Sequence, residues 1–76
     1  MEEKVLNILA EICNDDIVRT ERDIDIFDTG LIDSIAFIEL LVAIEDDFGI
    51  EISPTEIERS EINTANKIIA LIKARS

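Results

Sequence analysis

One serine stands out as a residue that could carry chemistry. Ser34 follows Asp33 at the end of a Gly-Leu-Ile-Asp-Ser segment, residues 30–34, and the stretch Ile35 to Phe48 after it has the pattern of a helix. The free N–H groups of a first helical turn and the positive end of the helix dipole favour negative charge, so a phosphate ester on Ser34 would be stabilised there. A simpler interpretation is that Asp33 or Ser34 only caps the helix.

The rest of the sequence offers little to catalysis. It contains no histidine that could activate Ser34, and its one cysteine, Cys13, lies in an apolar stripe typical of the core. A chain of 76 residues buries only roughly 60% of its unfolded surface, so a large internal cavity is not expected. We therefore expect no catalytic residues and no enzyme activity.

The acidic segment before Ser34 does not match a metal site. Asp23 and Asp25 have the spacing of the first ligands of a calcium loop. Phe27, however, stands where the loop needs an oxygen ligand, Asp28 where it needs glycine, and Ser34 where it needs glutamate. We expect no bound metal ion.

Negative charge is concentrated in the middle of the chain. The net charge is −11, and no Lys or Arg occurs from Asp23 to Glu58, a segment with 11 acidic residues. Such a field repels nucleic acid and anionic membranes and attracts basic protein surfaces. We expect protein partners and no nucleic acid, although a merely solvated acidic face has the same composition.

Apolar periodicity predicts the helices that position Ser34. Apolar residues at helical spacing predict a first helix near the start of the chain. This helix is expected to end near residues 14–16. A short third helix is predicted to start at Ser53-Pro54-Thr55-Glu56, a capping box with proline at the first helical position, and a last helix runs from about Thr64 to Ala74. The core stripes of the first and last helices are Val5, Ile8, Leu9, Ile12, Cys13, Ala65, Ile68, Ile69 and Ile72.

Residues 17–33 are predicted to form a long loop that apolar side chains hold against the core. Loops of this length are uncommon unless they are functional or disordered, and the apolar anchors argue against disorder. The anchors are Ile17, Val18, Ile24, Ile26, Phe27, Leu31 and Ile32. The expected fold is all-α: a small four-helix bundle forming a single domain over residues 1–76, with three longer helices, one short helix and a long loop between helices 1 and 2.

The helix after Ser34 has more apolar residues than one buried face requires. Five of them cluster on one side, and three others, Ile35, Ile38 and Val42, lie nearly opposite. We call these three the apolar strip. Glu39 and Asp46 project close to it, and Glu45 lies at its margin. An exposed apolar patch with a polar rim usually marks a protein interaction site; alternatively, the long loop folds over the strip.

Several motifs surround Ser34. They are Phe27-x-x-Gly30-Leu31-Ile32-Asp33-Ser34, Ile38-Glu39-Leu40-Leu41, Ile44-Glu45-x-x-Phe48-Gly49-Ile50 and Ile52. In these motifs the chain resembles the phosphopantetheine-dependent acyl carrier proteins over essentially its whole length. The resemblance implies the acyl carrier protein fold. It also implies that a separate phosphopantetheinyl transferase attaches 4′-phosphopantetheine from coenzyme A to Ser34, with Asp33 part of the site, and that an acyl or aminoacyl group is carried as a thioester on the arm.

Three further segments resemble one branch of that family. They are Leu9 to Val18, Asp25-Ile26-Phe27 and Asn63-Thr64, and they are similar to the D-alanyl carrier proteins of Gram-positive bacteria. This resemblance implies that a D-alanine adenylating ligase loads the arm and that a membrane O-acyltransferase system transfers D-alanine to teichoic acids. Carriers of fatty acid, peptidyl or polyketide pathways remain alternatives. An alternative from another class is an unmodified acidic module that binds a partner through the apolar strip.

The sequence also predicts where the protein works. Its start, Met1-Glu2-Glu3-Lys4, is charged and unlike a secretory or transit signal. No apolar run approaches the ~18 residues that a membrane span needs. We expect a cytoplasmic monomer that is not inserted in the membrane.

Overall fold

Three long helices and two short ones make up the ordered secondary structure of the computed structural model, which describes residues 2–75. No strand occurs in that range. The all-α prediction and its three longer helices are confirmed. The elements are α1 (Glu2–Cys13), α2 (Ile17–Thr20), α3 (Ser34–Phe48), a 3-10 helix (Arg59–Glu61) and α4 (Ala65–Arg75).

Helix α1 packs against α2, α3 and α4 and forms the centre of the bundle. Val5, Ile8 and Leu9 of its predicted stripe are buried, whereas Ile12 and Cys13 are half-buried at the edge of the core. The helix ends at Cys13 because the next residue, an asparagine with a φ of 55°, adopts the left-handed conformation that asparagine tolerates better than most residues.

Helix α3 begins one residue earlier than predicted, at Ser34, and ends at Phe48 as predicted. Its core face contains Phe37, Leu40, Leu41 and Ile44, all buried. Gly49 terminates the helix with a φ of 67°, and its N–H donates to the Glu45 carbonyl at 2.9 Å. A glycine in the left-handed region is a common helix end because it lacks a Cβ that would be strained there.

Helix α4 closes the core from the other end of the chain. Its four predicted core residues are all buried, so that prediction is confirmed. Both ends of the helix lie one residue later in the sequence than predicted. The helix begins after Thr64 because Thr64 caps it: the Thr64 hydroxyl accepts a hydrogen bond from the Lys67 N–H at 3.1 Å. Within residues 2–75, no helix is long and apolar enough to cross a membrane.

The predicted loop at residues 17–33 contains a short helix that sequence analysis missed. Helix α2 forms because the Asp15 carboxylate accepts the Ile17 N–H at 3.0 Å and because Arg19 pairs with Asp16 at 3.2 Å. Its Val18 is buried completely. The prediction that apolar residues anchor this segment is confirmed: Val18, Ile26 and Ile32 are buried, and Ile17, Ile24, Phe27 and Leu31 pack against the core.

The prediction that a short helix starts at Ser53 is wrong. The Ser53 N–H does donate to the Glu56 carboxylate at 3.0 Å, as in a capping box, but only a turn follows. Ile52 and Ile57 are both buried, and the backbone is extended again at Glu58, with φ −95° and ψ 150°, so the turn does not continue as a helix. The chain therefore unwinds, and the short helix forms later, at Arg59–Glu61.

Candidate functional site

Ser34 is the first residue of α3, and its side chain is exposed. Asp33 is the N-cap: its carboxylate accepts the Ala36 N–H at 2.8 Å, and its carbonyl accepts the Phe37 N–H at 2.9 Å. The capping function therefore belongs to Asp33, and the Ser34 side chain is exposed beside the cap.

The turn before Ser34 is fixed by the Asp25 carboxylate. One of its oxygens accepts the N–H groups of Asp28 at 2.9 Å and Phe27 at 3.0 Å, and the other accepts the side-chain amide of Asn63 at 2.8 Å. The hydrogen bond from Asp28 is the main reason that the pKa of Asp25 is lowered; partial burial opposes the shift, and the bonds from Asn63 and Phe27 add to it. The carboxylate is thus stabilised in its charged form.

Gly30 completes this turn. Its φ of 75° lies in the left-handed region, and its N–H donates to the Phe27 carbonyl at 3.0 Å. Two residues later, the Ile32 N–H donates to the Ile26 carbonyl at 3.0 Å. The chain therefore reverses direction just before Asp33, and Ser34 lies at the surface.

The segment before α4 and the first turn of α4 also hold the loop before Ser34. The Ile26 N–H donates to the Asn63 carbonyl at 2.9 Å, and the Asn66 side chain donates to Asp23 at 2.8 Å. The side-chain oxygen of Asn63 is buried without a hydrogen-bond partner among the described residues. Asn63 stands out in the sequence only through the family resemblance, and no sequence pattern indicates its pairing with Asp25.

An arginine that sequence analysis did not identify lies beside Ser34. The Arg59 guanidinium donates from Nη2 to Ser34 Oγ at 3.0 Å, and its Cζ lies 5.1 Å from the centre of the Phe27 ring. Phe27 in turn contacts Phe37 edge to face, with ring centres 5.7 Å apart. One signal was available: Arg59 is the first basic residue after the acidic segment that ends at Glu58.

The apolar strip is exposed, so the long loop does not cover it. The exposed fractions are 71% for Ile35, 45% for Ile38 and 51% for Val42. Large apolar side chains this exposed, grouped on one helix, are unusual in a monomer unless they bind something. The strip extends along α3 from the residue after Ser34.

The three acids predicted to border the strip are exposed, but they do not all face the same way. Glu45 lines a cleft of about 270 Å³ together with Ile38 and Val42, and residues 51–54 form its other wall. Glu39 lines a different cleft, of about 430 Å³, between α1 and α3, whose other lining residues are Ile8, Glu11, Ile12, Ala43 and Asp47. Asp46 is exposed farther along the helix.

Groups that could catalyse a reaction are scarce in the described part of the chain. Cys13 is half-buried, and burial raises the pKa of its thiol, with the Asp15 carboxylate adding to the shift. A raised pKa keeps the thiol protonated and weakly nucleophilic. No cluster of Cys, Asp or Glu within residues 2–75 is arranged to hold a metal ion. The side chain that hydrogen-bonds the Ser34 hydroxyl is Arg59, a cation that donates and does not accept a proton.

Comparison with known proteins identifies similar chains. Residues 3–72 match the family model described as a phosphopantetheine attachment site. The chain is 45% identical over 75 residues to the D-alanyl carrier protein of Abiotrophia defectiva, covering 99% of this chain and 95% of that protein. It is 51% identical over 67 residues to the D-alanyl carrier protein of Bacillus velezensis (88% and 86% covered) and 42% identical over 69 residues to that of Lacticaseibacillus casei (91% and 85% covered).

Proposed function

Because this chain belongs to the phosphopantetheine carrier proteins, we propose that Ser34 is the residue to which the 4′-phosphopantetheine arm is attached. The observation that supports this most directly is the position of its hydroxyl, which is exposed at the start of α3 while Asp33 does the capping. The residues present fit a phosphate ester, since the Arg59 guanidinium donates to Ser34 Oγ and the start of a helix favours negative charge.

The attachment is a transfer in which this protein is the substrate. The Ser34 oxygen forms a bond to phosphorus, the bond from that phosphorus to the nucleotide of coenzyme A breaks, and 3′,5′-ADP leaves. We assign acceptance of the hydroxyl proton to a base of the phosphopantetheinyl transferase, because the side chain bonded to Ser34 Oγ in this protein is the Arg59 cation, which cannot accept it. Once attached, the arm supplies a terminal thiol that holds a carboxylic acid as a thioester.

For the cargo, we propose D-alanine, destined for the esterification of teichoic acids. Relatives 42% to 51% identical carry the name D-alanyl carrier protein, and the matches span nearly the whole chain. The implied partners are a D-alanine adenylating ligase and a membrane O-acyltransferase system. The small core also suits a short cargo, because a long acyl chain would have to part packed helices to be enclosed. We further propose that the protein works in the cytoplasm as a monomer without enzyme activity.

For the docking of these partners, we propose the apolar strip together with Glu39, Glu45 and Asp46. Exposed apolar side chains supply contact area, and the acids beside them attract a basic surface and orient it. The strip begins next to Ser34, so a partner bound there would have the root of the arm within its reach.

Two assays test the proposal. Incubation with coenzyme A and a broad-specificity transferase should add the mass of one phosphopantetheine to the wild type and none to Ser34→Ala. Modification at Ser53 or Ser60 instead would refute the assignment. The modified protein should then form a thioester with D-alanine when given a D-alanine ligase and ATP. Loading by a malonyl transferase, with no D-alanine thioester, would instead indicate a carrier of fatty acid synthesis.

A further inference from the structure

We propose that Arg59 binds the phosphate at the root of the arm, fixing the phosphodiester against the start of α3. The inference rests on the proposed attachment at Ser34. It adds a positioning residue from a distant part of the sequence. Arg59 lies 25 residues from Ser34 in the sequence; the 3-10 helix packs against α4, and from there the Arg59 side chain reaches the start of α3.

Two contacts hold the Arg59 guanidinium in place. Its Nη2 donates to Ser34 Oγ at 3.0 Å, and its plane lies near the face of the Phe27 ring, with Cζ 5.1 Å from the ring centre. Phe27 is itself fixed by its edge-to-face contact with the buried Phe37. A guanidinium has five N–H donors in a rigid planar fork. With one donor already directed at Oγ, others remain for the oxygens of a phosphate bonded to that same atom.

Arg59 is also electrostatically available, unlike the other arginines. Arg19, Arg22 and Arg75 each lie between 3.2 and 3.9 Å from a carboxylate. No such ion pair is found for Arg59 among residues 2–75. Its acidic neighbours in sequence are turned toward the backbone, because Glu58 and Glu61 form a reciprocal capping box in which the Glu61 carboxylate accepts the Glu58 N–H at 3.2 Å.

The phosphodiester creates a need for such a cation. It adds a negative charge to a chain whose net charge is already −11, and this new charge lies next to the Asp33 carboxylate. Repulsion between those two groups would weaken the start of α3. A fork-shaped cation suits a phosphate better than an ammonium does, since it can donate two parallel hydrogen bonds. The modified protein should therefore depend on Arg59 more than the unmodified protein does.

The experiment compares unmodified and modified forms of the wild type, Arg59→Gln, Arg59→Lys and Arg75→Gln. Arg75→Gln is the matched control, since it removes the same charge from a side chain that pairs with Glu56. Modification is run to completion and checked by mass. The change in thermal midpoint on modification, followed by circular dichroism, should be less favourable in Arg59→Gln than in the wild type by about 4 °C or more. Arg75→Gln should keep the wild-type change, and Arg59→Lys should fall between.

Phosphorus NMR of the modified proteins supplies a readout that a purely structural role would not move. The ³¹P resonance should shift in Arg59→Gln and stay in place in Arg75→Gln. The inference is overturned if modification changes the midpoint equally in the wild type and Arg59→Gln with the resonance unmoved, or if Arg75→Gln has the same effect as Arg59→Gln. A wild type that gains no mass would refute the attachment at Ser34 itself, and is thereby distinguished from a failure confined to Arg59.

Discussion

Replacing Asp33 with alanine should destabilise the protein by about 1–2 kcal/mol. The variant loses the N-cap hydrogen bond that the carboxylate accepts from the Ala36 N–H at 2.8 Å, a loss that typically costs about 1 kcal/mol. It also loses a negative charge at the positive end of the α3 dipole, worth about 0.3–1 kcal/mol. A domain of this length is stable by only about 4–11 kcal/mol, so the effect is a substantial fraction of the total.

Two further variants separate the contributions. Asp33→Asn keeps an oxygen that can accept the Ala36 N–H and loses only the charge, so it should cost less than Asp33→Ala. Asp28→Ala removes one acid from the same segment, and no hydrogen bond or ion pair of the Asp28 carboxylate is found within the described residues. Because it relieves repulsion in a chain of net charge −11, Asp28→Ala should be neutral or slightly stabilising.

Urea unfolding followed by far-UV circular dichroism measures these differences, since the sequence lacks Trp and Tyr as fluorescent probes. With a slope of about 1 kcal/mol per M urea for a chain of this size, the Asp33→Ala midpoint should fall by about 1–2 M. If Asp33→Ala unfolds at the wild-type midpoint, the cap does not stabilise α3. If Asp33→Asn loses as much as Asp33→Ala, the charge rather than the hydrogen bond is responsible.

Three other predictions follow from the structure. Leu40→Ala should cost about 2–5 kcal/mol in urea unfolding, whereas Val42→Ala on the exposed side of α3 should stay within about 0.5 kcal/mol; similar costs would contradict the two-faced helix. Because the pKa of Asp25 is lowered on folding, its stabilising contribution is full above the unfolded pKa and disappears as pH falls through the folded pKa. The difference in free energy of unfolding between wild type and Asp25→Ala should therefore be larger at neutral pH than under strongly acidic conditions. A difference that does not change with pH would contradict a stabilising role of the charged Asp25 carboxylate. Glu39→Lys and Asp46→Lys should each slow the association of partners by about tenfold at low salt, with the circular dichroism spectrum unchanged. Added salt should slow association of the wild type in the same way. Unaltered association rates in both variants would exclude these acids from the docking surface.

Much of the helical framework could be predicted from the sequence because its signals are local. Residues three and four apart share a helix face, so the larger apolar side of α3 and the separate apolar strip follow from the spacing of its apolar residues. The end of α3 at Phe48 follows from the glycine after it. Ser34 likewise stood out because Asp-Ser marks the start of a helix.

The short elements were less predictable. The capping box at Ser53 forms its hydrogen bond but yields only a turn, because the backbone is extended again at Glu58. A second capping box, between Glu58 and Glu61, starts the short helix instead. Two local signals of the same kind compete here, and the sequence does not show which of them prevails.

What the sequence alone determined was which residue carries a hydroxyl at the start of α3 and which two sides of that helix are apolar; that the long loop leaves the apolar strip exposed is known only from the structure. What only the tertiary structure decided was the surroundings of that hydroxyl: Asn63 bonded to Asp25 across 38 positions, and Arg59 bonded to Ser34 across 25. Such pairings leave no periodic pattern, because they depend on the path of the chain between the helices. That path is set by the burial of side chains from every helix in one shared core.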